Sequence, residues 1–488
     1  MNLKTKCWLK MPGNIQDSKN KKMKKSVWYL IMLLSSLYST AQQQRLNIVF
    51  ILSDDQAYNT IHTLGNREIH TPNLDYLVAH GTTFTRAHIM GGRQGAICAP
   101  SRAMIMTGTY ANHLTKDGYI IPESTATLGE MLRKDGYITF ETGKWHSDKA
   151  SFNRSFSCGE NIFFGGMHAP DAGGHFAPKL YHYDSSGRYP QSSMWSGREF
   201  SSIYYCDAAV NFIRSYNSDT QPFFLYVPFT SPHDPRTPPA EFMAMYDAGK
   251  ISLPPSYLPN PKFDNGELNI RDELLLPYPR EKKAVKEEIA KYYAMITEMD
   301  SRIGQIIAAL KDKNLYENTL IVFAGDNGLS VGNHGLLGKQ NLYDNSVRVP
   351  LIFCGPSIPA DKRSDALVYL PDITPTILGY AGVAKAASVV SKDLKPVING
   401  QEKDVRSAVY YLYRDFQRGV RTADNWKLIV YRVQGKTRME LFNLNQDPFE
   451  RKDLSGNRRY AQKATELKAL LLQQMKDYDD DLSEADLF

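Results

Sequence analysis

Residues 46–55 read LNIVFILSDD, an apolar run that ends in a cluster of polar side chains. A run of this kind has no polar face, so it predicts a strand that is buried on both sides. Strands buried on both sides belong to mostly parallel sheets that helices cover on both faces. The stretch therefore predicts an α/β protein in which Asp54 and Asp55 lie at the carboxyl end of a strand.

The same design recurs three more times along the chain. Residues 137–142, 223–229 and 320–324 are apolar runs, and the polar clusters that follow them are Gly143-Lys144-Trp145-His146, Ser231-Pro232-His233-Asp234 and Asp326-Asn327-Gly328. Residues 284–313 carry apolar side chains at steps of three and four, which predicts a long amphipathic helix. This alternation predicts a mostly parallel central sheet sandwiched by helices. Ligands bind such sheets beyond the carboxyl ends of the strands, so we expect the four polar clusters to meet in one site.

The composition changes after about Pro371. Strand patterns at 409–413, 419–422, 426–431 and 439–443 precede an amphipathic helix at 460–478, which together predict a smaller antiparallel sheet with a C-terminal helix. We divide the chain into a leader and signal peptide (1–41), an N-terminal domain that carries the predicted site (42–385) and a C-terminal subdomain (386–488). The Gly- and Pro-rich residues 165–190 and 253–279 are predicted to be long loops over the site.

The formal net charge of +6 is concentrated in the leader. Residues 1–41 contain eight lysines and one acidic residue, Asp17, so the rest of the chain carries about −1. The remaining chain therefore lacks the basic excess that is typical of nucleic-acid-binding proteins, and we expect no nucleic-acid partner.

The leader has the parts of a secretory signal peptide. A positive region at Met23-Lys24-Lys25 precedes an apolar run from Val27 to Leu37, and small residues follow at 39–41. We expect cleavage near Ala41 and an exported, periplasmic mature chain without a stable membrane span; an extracellular location is the other possibility. Retention of the apolar run as a membrane anchor is the alternative interpretation.

The five cysteines are Cys7, Cys98, Cys158, Cys206 and Cys354. Cys7 lies in the leader and Cys98 belongs to the motif described next, so the other three allow at most one disulfide. We expect all three to be buried free thiols.

The sharpest motif is Cys98-Ala99-Pro100-Ser101-Arg102, which continues to Thr107-Gly108. Proline suits the first turn of a helix, and a side chain just before it would face the free N–H groups and the positive end of the helix dipole. An anionic oxygen would be stabilised there. The alternative is a buried structural cysteine, which is the usual role of a lone Cys.

This motif resembles the type I sulfatase signature Cys-x-Pro-Ser-Arg followed by Thr-Gly, and the resemblance extends from Asn47 to about Leu454. It implies an alkaline phosphatase-like fold. It also implies that a formylglycine-generating enzyme oxidises Cys98 to formylglycine during export, and that the modified residue is the nucleophile of a sulfuric ester hydrolase.

Asp54, Asp55, Asp326 and Asn327 form the second constellation. Three carboxylates at neighbouring strand ends would repel one another without a cation, and an all-oxygen set favours Ca²⁺ or Mg²⁺ over zinc. The resemblance maps these four residues and modified Cys98 onto the metal ligands, and it implies calcium rather than magnesium. Helix capping by each Asp is the alternative reading.

The remaining site residues follow from the resemblance. It places Arg102, Lys144, His233 and Lys339 around the substrate sulfate or the nucleophile, and His146 beside the formylglycine hydroxyl. Taken alone, such lysines and histidines would be read as solvated surface groups. Arg236, His175 and His334 are weaker predictions for sugar recognition, with ordinary loop roles as the alternative.

The resulting hypothesis is an exported sulfatase that acts on a sulfated saccharide. One alternative is a phosphate or phosphonate ester hydrolase, because related hydrolases share the fold and some share the motif. Another is a glycan-binding relative in which Cys98 stays unmodified. The sequence leaves open which sugar and which hydroxyl carry the sulfate.

Overall fold

The computed structural model describes residues 45–218 and 220–488. The predicted leader and signal peptide, residues 1–41, therefore lie outside the described residues. In the described part of the chain, no helix combines the length and the apolar content that a membrane span requires.

The strands of the described chain fall into three sheets. In chain order they are β1 Asn47–Ser53, β2 Gly81–His88, β3 Gly91–Gly92, β4 Ile138–Glu141, β5 Cys158–Gly159, β6 Lys179–Leu180, β7 Trp195–Ser196, β8 Phe223–Pro228, β9 Thr319–Gly325, β10 Arg348–Val349, β11 Leu351–Cys354, β12 Lys362–Tyr369, β13 Ala408–Tyr413, β14 Gln417–Thr422, β15 Trp426–Val433 and β16 Lys436–Asn443. The α-helices are α1 Pro72–Ala79, α2 Cys98–Thr107, α3 Leu128–Lys134, α4 Lys149–Ser155, α5 Ser201–Ser215, α6 Ala240–Met243, α7 Lys282–Asp312, α8 Asp344–Val347, α9 Ile373–Ala381, α10 Lys395–Ile398, α11 Ala461–Asp477 and α12 Glu484–Leu487.

The four strands predicted from apolar runs are neighbours in the central sheet. They lie in the order β9-β1-β8-β4, and every pairing among them is parallel. Ser53 pairs with Gly325, so β1 and β9 end at the same level. This confirms the predicted α/β class and brings the four polar clusters to one edge of the sheet.

Both faces of β1 are covered, as its apolar sequence predicts. Ile48, Phe50 and Leu52 belong to one buried cluster, which includes Met104 and Ile105 of α2. Val49 and Ile51 belong to a second cluster, which includes Met299, Ile303 and Ile306 of α7. The helix predicted at 284–313 is observed at Lys282–Asp312, so the predicted sandwich is confirmed.

The other half of the central sheet was not predicted. It contains β2, which pairs antiparallel with β10 and β11 and parallel with β12. The sequence of β2 is GTTFTRAH, whose polar side chains hide its burial from a hydrophobicity pattern. Thr82 Oγ1 donates to Pro359 O over 2.9 Å, and Arg86 Nη1 donates to Ala423 O over 2.7 Å.

The smaller sheet contains β13 to β16 in antiparallel pairs, and α11 packs against β14 and β15. This confirms the predicted smaller antiparallel sheet with a C-terminal helix, to which the two-residue strand β3 adds one parallel pairing with β13 at the edge. Gly91 makes this contact with a φ of 101°, and a Cβ there would lie 1.9 Å from Leu412 O. The division at residues 385/386 stays a prediction; residues 46–488 form one compact unit.

Cys158, Cys206 and Cys354 are free thiols, as predicted. Cys206 and Cys354 are buried, whereas Cys158 is only partly buried.

Candidate active site

Four strand ends and one helix start supply the predicted chemistry. Asp54 follows β1, Lys144 follows β4, His233 follows β8 and Asp326 follows β9, while Cys98 is the first residue of α2. Cys98 Sγ lies 2.9 Å from Lys339 Nζ and 3.5 Å from Asp55 Oδ1. The structure therefore brings the motif cysteine to the place where the polar clusters meet.

The base of the site consists of charged pairs that are closed off from solvent. Lys144 Nζ lies 2.6 Å from Asp54 Oδ2, Arg102 Nε lies 2.8 Å from Asp326 Oδ2, and Lys339 Nζ lies 2.6 Å from Asp55 Oδ1. All six side chains are buried. We call these six residues and Cys98 the floor.

The charges of the floor shift one another's pKa values. Burial opposes ionisation of Asp54, but Lys144 and Arg102 outweigh it and hold the pKa of Asp54 well below its usual value. Burial, together with the charge of Asp54, raises the pKa of Asp326 to about 7. Burial and the surrounding carboxylates outweigh Lys339 and raise the pKa of the Cys98 thiol well above its usual value. An unmodified Cys98 is therefore a neutral thiol and a weak nucleophile at pH 7.

The donor atoms of the floor fit a hard divalent cation. Ligand atoms of Asp54, Asp55, Cys98 and His233 all lie within 4.8 Å of one another. Asp54 Oδ1 and Asn327 Oδ1 are buried acceptors without a hydrogen-bond partner. Buried polar atoms normally have partners, and unpaired oxygen atoms beside carboxylates match the ligands that Ca²⁺ and Mg²⁺ prefer.

Two of the predicted metal ligands are also engaged with neighbouring protein groups. Asp326 Oδ1 accepts the Asp55 backbone N–H over 3.0 Å, and Asp326 Oδ2 is the partner of Arg102. Asn327 Nδ2 donates to Asp55 Oδ1 over 2.6 Å, which leaves its carbonyl oxygen free. The assignment of these ligands stays a prediction.

The net charge of the floor would change from neutral to positive if a divalent cation were bound. Asp54, Asp55 and Asp326 face Arg102, Lys144 and Lys339, so three carboxylates oppose three cations. A divalent cation would leave the fully ionised floor with two excess positive charges. That excess is complementary to a singly charged ester together with an ionised nucleophile.

The two predicted histidines lie at the boundary between the floor and solvent. His233 Nδ1 lies 2.8 Å from Asp234 O and donates to it, so Nε2 points away from that carbonyl and carries a proton only when the ring is doubly protonated. That Nε2 lies 3.7 Å from Asp55 Oδ2. His146 Nδ1 has no hydrogen-bond partner, and burial with the charges of Lys144 and Arg102 lowers the pKa of His146 well below its usual value. His146 is therefore neutral at pH 7.

A cavity of about 490 Å³ opens above the floor. It is lined by Gly95, Ala96, Cys98, Tyr119, His146, Ser147, Phe164, Gly166, Met167, His233, Ile270, Arg271, Asp272, Lys339 and Gln340. The two predicted long loops contribute five of these residues. We call Tyr119, Arg271, Asp272 and Gln340 the wall; none was predicted, because each is an ordinary loop residue without a motif.

Three wall residues form a chain of hydrogen bonds between the neighbours of two predicted catalytic residues. Arg271 binds both carboxylate oxygens of Asp234, next to His233, and its Nη2 lies 2.6 Å from Asp272 Oδ1. Asp272 Oδ2 accepts Gln340 Nε2 over 2.7 Å, next to Lys339 in the chain. The wall therefore connects the segments that carry the two residues.

The three residues predicted for sugar recognition do not line this cavity. His175 is buried, with Nε2 3.0 Å from His233 O. Arg236 Nε donates to Glu288 Oε2 over 2.8 Å, and His334 stacks on Tyr343 with ring centroids 3.8 Å apart. Each has a structural contact, and their role in recognition stays a prediction.

Comparison with known proteins identifies the family. The Sulfatase family profile matches residues 46–383, which is more than half of the chain. The chain belongs to the sulfatase family. This sulfatase also matches, over residues 332–477, the profile for the C-terminal region of N-sulphoglucosamine sulphohydrolase. Family membership makes the protein a sulfuric ester hydrolase.

Its similarity to individual proteins spans nearly the whole chain. An N-acetylglucosamine-6-O-sulfatase of Bacteroides thetaiotaomicron is 26% identical over 517 residues, with 90% of this chain and 88% of that protein covered. One solved protein, in complex with its substrate D-glucosamine-2-N,6-O-disulfate, superposes on this chain with a TM-score of 0.74 at 23% identity. The match covers 91% of this chain and 99% of the other.

A phosphonate monoester hydrolase of Agrobacterium radiobacter superposes with a TM-score of 0.72 at 20% identity and covers 89% of this chain and 96% of the other. The fold is thus shared with an enzyme named for another class of ester.

Proposed function

We propose that this sulfatase releases inorganic sulfate from a sulfated carbohydrate, with a formylglycine made from Cys98 and one bound Ca²⁺. The observation that carries the proposal is the position of Cys98, whose Sγ lines the cavity 2.9 Å from Lys339 and within the cluster of Asp54, Asp55 and His233. A lone structural cysteine would not need three buried ion pairs around it.

The carbohydrate part of the proposal is supported by the cavity and by the relatives. A volume of about 490 Å³ lies within the range of pockets that enclose small ligands. The wall offers a guanidinium, a carboxylate, an amide and a phenol, which are the groups that can hydrogen-bond to sugar hydroxyls. One similar protein is named an N-acetylglucosamine-6-O-sulfatase, and one similar structure holds its substrate D-glucosamine-2-N,6-O-disulfate.

The metal and the modified cysteine each supply one part of the chemistry. The residues that would hold Ca²⁺ are Asp54, Asp55, Asp326 and Asn327, together with residue 98. When present, the ion supplies positive charge for the sulfuryl oxygens, and hydrated formylglycine supplies the nucleophilic oxygen.

The protein's own residues bind the sulfate and move protons. Lys339 is the floor lysine that lines the cavity, so it binds a sulfuryl oxygen directly. Arg102 and Lys144 lie behind the carboxylates and fix Asp54 and Asp326 in place. His233 in its doubly protonated form, with Nδ1–H donated to the Asp234 carbonyl, gives the Nε2 proton to the departing sugar oxygen and is left as the neutral ring. Neutral His146 accepts a proton from residue 98 when sulfate is released.

The leader supports export as part of the same proposal. A positive region, an apolar run and small residues near Ala41 favour a periplasmic enzyme that meets its glycan outside the cytoplasm. Fractionation of cells, followed by N-terminal sequencing, should find the chain in the periplasm with a start near Gln42. Full-length protein in the membrane fraction would contradict this.

The direct test is sulfate release from defined saccharides. The panel contains glucosamine, galactosamine, galactose and uronate units, each sulfated at one known position, with matched phosphate and phosphonate esters as competitors. We expect release from at least one sulfated sugar and from none after Cys98→Ala. A preference for the phosphorus esters would move the protein to the alternative class of hydrolase.

The metal is tested separately. Metal analysis should find about one calcium per chain, and exhaustive chelation should remove turnover in a way that Ca²⁺ restores. Full activity after chelation would contradict a bound cation, and restoration by Mg²⁺ alone would change its identity.

A further inference from the structure

A second and larger cavity lies beside the loops that follow the predicted metal ligands. Its volume is about 770 Å³. Tyr58 and Thr60 line it shortly after Asp55 in the chain, and residues 329–331 line it shortly after Asn327. Neither the predicted catalytic residues nor the wall contribute to it.

Tyr292 of α7 connects this cavity to the floor. Its hydroxyl donates to Asp55 O over 2.5 Å and accepts the Ala57 N–H over 3.0 Å, while the residue also lines the second cavity. A ligand in the cavity would therefore lie against a side chain that holds the backbone of Asp55.

Arg348 is one of three charged residues that line this cavity; the others are Arg67 and Glu68, whose carboxylate accepts the Ser252 N–H. The Arg348 guanidinium stacks on the ring of Tyr58, with the guanidinium carbon 3.8 Å from the ring centroid. Nε donates to Thr85 O over 2.7 Å. Among the residues the structure describes, however, no carboxylate lies within the 4.0 Å ion-pair distance of Arg348.

The nearby carboxylates are already paired with other cations. Asp344 lies 2.7 Å from Arg421 and 2.9 Å from Lys427, and Lys427 also lies 2.7 Å from Glu450. Burial raises the pKa of Glu450 to about 7, so its negative charge is only partial near neutral pH. Arg348 therefore makes no direct ion pair and shares the charge of Asp344 with two closer cations; that carboxylate opposes the lowering of the Arg348 pKa by burial.

We propose that the second cavity is a binding site for an anionic saccharide unit, in which Arg348 binds the carboxylate or sulfate of the sugar. A partly buried guanidinium without a direct ion-pair partner is favourably placed to bind an anion, and its planar fork matches a carboxylate or sulfate. Tyr58 and Phe449 add aromatic surface for a sugar ring, and Phe449 is 43% exposed at the cavity rim. The volume exceeds what a lone ion needs, which favours a sugar that carries the anion.

This inference rests on the proposed function for its glycan ligand, but it concerns a site distinct from the one that would perform hydrolysis. A sulfated or carboxylated chain that reaches the enzyme would be held at Arg348 while another unit enters the cavity above the floor. Such a site increases the affinity for a polymer without changing the chemical step.

Binding can be measured without turnover. Affinity electrophoresis of the inactive Cys98→Ala protein uses gels that contain chondroitin sulfate, hyaluronan or neutral dextran. We expect at least one anionic glycan to retard the protein and dextran to leave it unchanged. Adding Arg348→Gln should raise the Kd for the glycan, obtained from the mobility at several glycan concentrations, about tenfold, because a charge-assisted hydrogen bond is lost.

Two further variants separate the site from folding and from general charge. Phe449→Ala changes an exposed rim residue and should weaken binding severalfold with an unchanged melting temperature. Arg198→Gln removes an exposed arginine outside the cavity and should have no effect. Equal retardation of Arg348→Gln and its parent, or no retardation by either anionic glycan, would overturn the proposal. Free competitors can also be added to the gel at constant ionic strength. If inorganic sulfate releases the protein from the glycan and sulfated or carboxylated sugars do not, the ligand is a free ion and the proposal is overturned.

A kinetic experiment links the cavity to hydrolysis. In the active enzyme, Arg348→Gln should raise KM for a sulfated polymer and leave kcat/KM for a small aryl sulfate within about twofold. Equal losses on both substrates would mean that Arg348 supports the floor through the fold. If no sulfate ester is cleaved at all, the proposed function fails, while the electrophoresis still decides the second site.

Discussion

The floor and the wall of the active-site cavity are built in different ways. Except for Lys339, which lies in the loop after β9, the floor is carried by strand ends and by α2, and its charged side chains are buried in pairs. The wall is carried by loops and is open in part: the side chain of Arg271 is 44% exposed and Tyr119 is 39% exposed, whereas Asp272 and Gln340 are buried. The difference separates a rigid site for chemistry from an adaptable surface for substrate choice.

The largest effect is expected when a charge is removed from the floor. Asp54→Ala deletes the partner of Lys144 and leaves that lysine buried without a counter-charge. We expect turnover to fall to background on every substrate and the free energy of unfolding to fall by about 3–5 kcal/mol. Denaturant titration in the presence of chelator measures the second effect without a contribution from the metal.

Asp365→Ala is the matched control for this change. Asp365 pairs with Arg86, but its side chain is 71% exposed, so its removal should cost at most about 1 kcal/mol. If Asp54→Ala and Asp365→Ala lower the free energy of unfolding by similar amounts, burial does not make the floor pairs more important for stability than an exposed pair.

The next effect separates the two histidines. A sugar alkoxide is a poor leaving group, so His233→Ala should reduce kcat/KM for a sulfated sugar by roughly 10²–10⁴. A nitrophenolate leaves unaided, so the same variant should lose far less on an aryl sulfate. His146→Ala should lower kcat on both, because it acts after the leaving group has gone. Equal losses for His233→Ala on both substrates would mean that it only positions the sulfate.

The smallest effect belongs to the wall. Arg271→Ala should reduce kcat/KM for a sulfated sugar about tenfold, because a charge-assisted contact at the substrate and the support of Asp234 are both lost. An aryl sulfate should be affected about twofold or less, and the free energy of unfolding should fall by roughly 1–3 kcal/mol, because the buried Asp234 loses a hydrogen-bond partner. Arg271→Lys should recover part of the loss. An equal fall in kcat/KM for both substrates would mean that Arg271 supports the chemical step and does not select the sugar.

Most of the floor could be predicted from the sequence because its residues occupy recognisable places, whereas Lys339, in a loop, followed only from the family resemblance. Apolar runs mark β1, β4, β8 and β9, and parallel strands bring their ends together whatever the loops between them do. The cysteine motif then identified Cys98, at the start of a helix whose proline follows two residues later.

The wall and half of the central sheet could not be predicted for physical reasons. The strand β2 buries Thr82 and Arg86 through hydrogen bonds to loop carbonyls, which a pattern based on hydrophobicity misses. Arg271 and Asp272 lie in a loop without periodicity, and their relation to His233 exists only after residues distant in the chain have packed together. Conversely, His175 looked like a loop residue free to contact sugar, yet it is buried behind His233.

The central claim is that residue 98 acts as a formylglycine in a sulfate-releasing enzyme. Trypsin cleaves after Arg93 and Arg102, so residues 94–102 form one peptide that contains the modified position. Mass spectrometry of that peptide, from the preparation whose sulfate release has been measured, should find the aldehyde in proportion to activity. An active preparation in which residue 98 is entirely cysteine would contradict the account.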